Sequence, residues 1–190
     1  METLLDYFTH SSAVTILVLL VLSVYFIFTF WIYLDRYYLL SRRIKLESKA
    51  LRQLYGEEND IPPYTLLHGY IARTKRINRA ILDAAISDAI RVSTKGLTWL
   101  SIFASTSPFI GLFGTVIGIL ETFSELGGKN AASLSVVAPA ISEALVATAA
   151  GIFVAVFAYA FHLLLKRKAY ELSSLLHSQA DVLLAKHDEG

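Results

Sequence analysis

No cysteine occurs anywhere in the chain, which excludes a disulfide, a thiolate metal site and a cysteine nucleophile together. Nothing about compartment follows from that absence. Charge is also scarce: Asp, Glu, Lys and Arg make up 17% of the 190 residues, against about 25% in a typical soluble domain. The two signs nearly cancel, to a formal net charge of +1, so no global basic field exists to attract nucleic acid. His10, His68, His162, His177 and His187 are scattered without metal-ligand spacing, and no nucleophile–base motif accompanies them. Enzymatic chemistry, a bound metal and an organic cofactor are therefore not expected. His162 lies beside a charged boundary and reads as an interfacial side chain. There is no internal repeat and no low-complexity segment, and three spans without repeated halves argue against a stand-alone carrier.

What the chain has in abundance is apolar sequence. Hydrophobic residues make up 55% of it, which places it among integral membrane proteins. After a short, mildly acidic N-terminus (1–11), residues 12–34 form a run of 23 without a charge. As a helix that run spans roughly 34 Å, enough for a hydrocarbon core of about 30 Å. It lacks the basic n-region and small-residue cleavage site of a secretory signal peptide. Trp31, Tyr33, Tyr37 and Tyr38 gather at its far end, where aromatic rings favour the membrane interface. A second span is expected over 97–120, with Pro108 inside it. A third is expected over 134–165, charge-free except for Glu143 and closed by Lys166, Arg167 and Lys168. Its 32 residues would extend roughly 48 Å, so it must tilt or protrude.

The polar segment 35–96 holds twelve Lys/Arg against seven Asp/Glu. Positive charge next to membrane spans marks the cytoplasmic side, which puts the N-terminus and the 121–133 loop outside. The same charges suit lipid headgroup contact or, alternatively, a partner-docking patch. Residues 37–55 keep helical spacing and continue the first span. Residues 56–63 are a breaker cluster, with Gly56, Pro62 and Pro63. From Tyr64 the pattern predicts helix almost unbroken into the second span, with Ile77, Ile81, Leu82, Ala85, Ile86, Ala89 and Ile90 on one buried stripe. In the tail (166–190), Leu172, Leu175, Leu176, Val182, Leu183 and Leu184 predict an amphipathic helix continuing the third span.

Projected on a helix, the second span gathers Ala104, Ser107, Gly111, Thr115, Gly118 and Thr122 on one narrow face. The third gathers Ala140, Ala144, Thr148, Gly151, Ala155 and Ala158. Gly114 and Gly118 form a GxxxG pair. Two readings fit these faces. They pack the two spans together, each threonine bonding its own backbone, or they line a narrow pore in an oligomer. Pro108 and Pro139 are candidate kink positions. Glu143 stands about 100° from Ala144 and about 140° from Thr148. It faces an adjacent helix rather than the threonine side. A carboxylate at membrane depth costs roughly 2.5–3.5 kcal/mol on insertion scales, so it is a functional candidate by default. Handling a proton and donating a hydrogen bond between helices are both open to it.

The runs PFIGLFGTV (Pro108–Val116) and VAPAISEALVATAAG (Val137–Gly151) resemble the MotA/TolQ/ExbB proton channel family, at the family's separation and in its topology. The resemblance covers roughly Ser93 to Lys168. It implies an all-α protein of three transmembrane helices with long cytoplasmic extensions, in the inner membrane of a Gram-negative bacterium, its N-terminus periplasmic. It implies a homopentamer around a central pore that holds a dimer of a single-span ExbD/TolR-like partner. An aspartate of that partner carries protons, and the flow drives rotation. A TolA- or TonB-like transducer receives the energy. By motif, Thr115 and Thr148 become pore-lining hydroxyls and Glu143 the intramembrane acid. Ser107, Gly111, Gly118, Ala144 and Gly151 become the smooth wall of the pore. The short N-terminus leans toward TolQ and the Tol–Pal system, with ExbB and TonB-dependent nutrient uptake as the alternative. A flagellar stator is not expected, because MotA-type subunits carry four spans. A purely structural membrane scaffold is the remaining alternative.

Overall fold

A computed structural model describes residues 13–56, 62–72, 78–126 and 134–188, and their regular structure is entirely α-helical. The helices are α1 (Ala13–Leu54), α2 (His68–Ile71), α3 (Arg79–Ser93), α4 (Leu97–Leu126) and α5 (Leu134–Asp188). Three of them, α1, α4 and α5, are long and apolar enough to cross a membrane. The N-terminal segment 1–11, residues 57–61 of the breaker cluster, Arg73, Lys75, Arg76, Ile77 and residues 127–133 lie outside the described residues. The chain divides into two compact units, Met1–Trp31 with Thr98–Phe161 and Ile32–Leu97 with His162–Gly190.

In the first unit, Val18 and Leu22 of α1 are buried against Ala147 and Val154 of α5, with Phe26, Ile110 and Ala150 half-buried around them. An aromatic ladder continues this seam. Phe26 and Phe30, one turn apart on α1, meet Phe153, Phe157 and Phe161 on α5. The Phe30–Phe161 pair is edge-to-face at 5.0 Å between centroids. Tilted and edge-to-face rings suit their quadrupoles, at about 0.5–1.5 kcal/mol per pair beyond burial. Leu17, Leu20, Ile27, Phe109, Phe113 and Leu145 turn outward. So large an exposed apolar surface marks a face made for lipid or for a neighbouring chain.

Helix α4 passes unbroken through Pro108. Proline removes an N–H donor there. Three hydroxyls just before it bond back to the preceding turn: Ser105 and Thr106 donate to the Ile102 carbonyl, and Ser107 donates to the Phe103 carbonyl at 2.6 Å. The carbonyl that loses its helical donor to proline is that of Ala104, one turn back, so these bonds lie beside the gap and do not fill it. At its other end, α4 runs on through Glu121–Leu126, past the loop start expected at 121. No residue before Gly127 obliges the helix to stop, and Leu126 and Glu125 are good helix formers.

In the second unit, the expectation of nearly unbroken helix from Tyr64 is corrected. Pro62–Leu67 is a turn, in which the Thr65 hydroxyl donates to the Pro62 carbonyl and accepts from the His68 N–H. Asn78 then caps α3 with extended backbone (φ −139°, ψ 164°), its side chain accepting from the Ile81 N–H at 2.9 Å. Such a cap marks a helix start. Thr94–Gly96 separates α3 from α4. Gly96 has φ +95°, a conformation that costs any other L-residue dearly. Of the expected stripe, Leu82, Ala85, Ile86 and Ala89 are buried and Ile81 and Ile90 half-buried; Ser93, not part of it, is buried as well.

Two polar residues of this unit's core are wholly shut off from solvent. Glu47 of α1 and Gln179 of α5 are both 0% exposed. The Glu47 carboxylate accepts from the Leu66 N–H at 2.9 Å and from the Gln179 amide at 2.9 Å. The same amide donates to the Glu47 carbonyl. One carboxylate thereby ties the 62–67 turn, α1 and α5 together. His162, expected at the interface, is half-buried, and its Nδ1 lies 3.1 Å from the Leu97 carbonyl. A carbonyl only accepts, so Nδ1 carries the proton.

Candidate functional site

The site is built where α4 and α5 cross antiparallel in the first unit. Two glycines set the distance between them. A Cβ on Gly111 would stand 2.6 Å from the Ala147 carbonyl oxygen and 3.0 Å from the Thr148 Cα. A Cβ on Gly151 would stand 2.5 Å from the Ser107 carbonyl oxygen and 3.1 Å from the Gly111 Cα. Neither position accepts any side chain while the backbones touch, which is how small residues bring membrane helices together. The GxxxG pair lies between two neighbours. A Cβ on Gly114 would stand 3.0 Å from Val18 of α1 and 3.1 Å from Ala147 of α5, and one on Gly118 would stand 3.5 Å from Thr15 of α1 and 3.3 Å from Ala144 of α5.

One turn from Gly111 on α4, Thr115 is 8% exposed. Its hydroxyl lies 2.5 Å from the Thr148 hydroxyl, 2.9 Å from the Ala144 carbonyl and 3.4 Å from its own Gly111 carbonyl. A hydroxyl has one proton to give. The shortest arrangement has Thr115 donating across the interface to Ala144 and accepting from Thr148. The two threonines therefore bond to each other, and Thr115 bonds to the opposite helix in preference to its own backbone. Thr148 is half-buried, so one flank of the pair stays open.

The structure thus brings together Ser107, Gly111, Thr115, Gly118, Ala144, Thr148 and Gly151, and leaves Glu143 and the prolines off this contact. Helix α5 is continuous through Pro139, which is exposed, and Pro108 is half-buried within α4. Glu143 is half-buried, and its Oε1 is shielded from solvent with no hydrogen-bond partner among the described residues. Ala147, fully buried, and Thr15 and Val18 on α1 complete the crossing and escaped the sequence reading. Ala147 falls between the faces of Ala144 and Gly151 (i+3 and i−4), so a wider stripe would have included it.

Chemically, the pair can pass a hydrogen bond along, because each hydroxyl both donates and accepts. Neither alcohol stores a proton at neutral pH, so proton transfer through the pair needs a carboxyl group nearby.

Three long apolar helices around a part-buried hydroxyl pair define a multi-pass α-helical membrane protein. The chain belongs to the MotA/TolQ/ExbB proton channel family, whose model matches residues 64–178 and so includes the whole α4–α5 crossing. It is 42% identical over 187 residues to the biopolymer transport protein ExbB-like 1 of Helicobacter pylori, covering 98% of this chain and 99% of that one. It is 29% identical over 181 residues to the Tol-Pal system protein TolQ of Haemophilus influenzae, covering 80% and 79%. The biopolymer transport protein ExbB of Xanthomonas campestris is 37% identical over 94 residues, covering 48% of this chain and 37% of that one.

Proposed function

We propose that this chain is the pore-forming subunit of an inner-membrane complex that couples proton-motive force to energy transfer across the cell envelope, of the ExbB type. The observation that carries it is the Thr115–Thr148 hydroxyl pair, held at a glycine crossing with one flank open. In this reading the chain forms a homopentamer, N-terminus periplasmic and C-terminus cytoplasmic. A dimer of a single-span ExbD/TolR-like protein occupies its centre and presents a membrane acid to the open flank of Thr148. The hydroxyls hold that acid's proton in register, and Glu143 is the subunit's own acid along the same route. Ser107, Gly111, Gly118, Ala144 and Gly151 keep the wall smooth enough for one helix to move past another. A TonB-like transducer takes up the work.

Similarity along nearly the full chain to an ExbB-like protein favours nutrient transport. The TolQ relative, similar over 80% of this chain, favours a second reading, service to a Tol–Pal system with a TolA-like transducer. Purification from the native membrane followed by native mass spectrometry tests both. A pentamer carrying a small single-span protein with a membrane aspartate supports the motor. A lone oligomer sinks it and leaves a packing scaffold. Deleting the gene then separates the systems, since loss of TonB-dependent uptake marks the first reading and detergent sensitivity with a division defect marks the second.

A further inference from the structure

Helix α1 carries a pocket in the second unit that no part of the proton route uses. Its volume is about 310 Å³, and Asp35, Tyr38, Leu39, Arg42, Arg43 and Leu46 line it. Asp35, the one acid in the lining, is paired at 3.2 Å with Arg36, which lies outside it. Arg42 and Arg43 have no ion pair among the described residues, unlike Arg36, Arg79 and Arg91. The pocket therefore offers two unmatched guanidinium groups, an exposed tyrosine (Tyr38, 73%) and two leucine walls.

Its place along the helix matters as much as its charge. The charge-free run of α1 ends at Leu34. Tyr38 then stands about 6 Å and Arg42 about 12 Å further along the axis. The headgroup layer occupies about 5–8 Å beyond the hydrocarbon on each side. Helical side chains lean toward the N-terminus, which on α1 is toward the membrane. From one turn after Tyr38, an Arg42 side chain with that lean is long enough to lay its stem along apolar surface and bring its fork to the headgroup layer. Guanidinium forks match phosphate oxygens in pairs, and the phenol adds a donor.

We propose that Tyr38, Arg42 and Arg43 form a binding site for the headgroup phosphate of an anionic phospholipid in the leaflet at the Asp35 end of α1. The site depends on α1 crossing the membrane and not on proton conduction, so the binding experiment stands apart from any test of the motor. Two cationic contacts at an anionic leaflet are worth roughly a thirtyfold preference.

The test is native mass spectrometry of the purified full-length complex, titrated with phosphatidylglycerol or phosphatidylcholine. The wild-type protein should retain phosphatidylglycerol preferentially. Arg42→Gln with Arg43→Gln should lower that preference about tenfold or more, while Lys45→Gln, outside the pocket lining, keeps it. An unchanged preference in the double variant overturns the site. So does an equal loss in Lys45→Gln, which would show diffuse attraction only. Displacement of the lipid by millimolar inorganic phosphate would overturn the commitment to a lipid. Should the double variant fail to assemble, a phosphatidylglycerol carrying a photoreactive headgroup decides on the wild-type protein. Crosslinks within 35–46 support the site, and crosslinks elsewhere alone refute it.

Discussion

The hydroxyls of Thr115 and Thr148 lie 2.5 Å apart across two antiparallel helices whose backbones touch at Gly111 and Gly151. The hydrogen bond and the close approach depend on each other. Threonine reaches across only because the glycines one turn away remove the side chains that would hold the helices apart.

Thr115→Val and Thr148→Val keep shape and remove one hydroxyl each. A neutral hydrogen bond contributes about 1 kcal/mol net, so the complex should assemble with little loss of stability. Proton flux in reconstituted liposomes should fall about tenfold or more, as expected when one transfer contact is lost from the barrier. Flux at the wild-type level in both variants would return the pair to a packing role.

Gly111→Ala and Gly151→Ala should each destabilise the first unit by about 1–3 kcal/mol, because the new methyl meets a backbone carbonyl that cannot move aside. Gly114→Ala meets side-chain atoms at 3.0–3.3 Å, of Val18 and of Ala147, instead of a carbonyl at 2.5–2.6 Å, and should cost less than either. Gly69→Ala, with nothing within 4 Å, should be neutral or slightly stabilising. Thermal unfolding of the detergent-solubilised protein gives this ranking. Equal effects at Gly111 and Gly69 would contradict the crossing.

Glu47→Ala removes the acceptor for both the Leu66 N–H and the Gln179 amide. Stranding buried donors costs about 1–3 kcal/mol, and Gln179→Leu should cost part of the same energy. A double-mutant cycle on the pair should show coupling of at least about 0.5 kcal/mol. Strict additivity would mean that the two residues act separately.

Asp88 accepts from the Tyr70 hydroxyl and from Arg91, each at 2.5 Å, and these contacts hold its carboxyl below the usual range, the tyrosine contributing most. The stabilisation is fully present above the unfolded carboxyl value of about 3.9 and is lost as pH falls through the lower folded value. Tyr70→Phe should melt below the wild type at pH 6, and the difference should shrink as the pH is taken below about 3.9. A gap that stays constant down to pH 2.5–3 (roughly a unit below the free value) would assign the tyrosine's effect to packing instead.

Much of the architecture was legible because membranes impose simple rules. Three apolar runs announced three long helices, and the second unit's stripes followed helical spacing, so Leu82, Ile86, Leu172 and Leu176 were identifiable as core. Glu47 and Gln179 were not identified, although each sits on its helix's buried stripe, at Leu40–Glu47–Leu54 and Leu172–Leu176–Gln179–Leu183. A charged or polar residue at a core position reads as a gap in the pattern until its partners are known. The helix breaks after Tyr64 were missed for a related reason. Asn78 and Gly96 are tolerated within helical sequence, and only their backbone geometry shows that one caps and the other turns.

The sequence by itself determined that the chain is a helical membrane protein, which residues are small, where the lone acid Glu143 falls and which motifs it shares with a proton channel family. Hydropathy and period are local properties, written into neighbouring residues. Only the tertiary structure decided that Gly111 and Gly151 bring the backbones of α4 and α5 together, while Gly114 and Gly118 face side chains of both α1 and α5. It also decided that Thr115 bonds across to Thr148 and Ala144 rather than chiefly to its own turn. Which face meets which depends on residues far apart in the chain competing for the same contact, and that competition is settled in space.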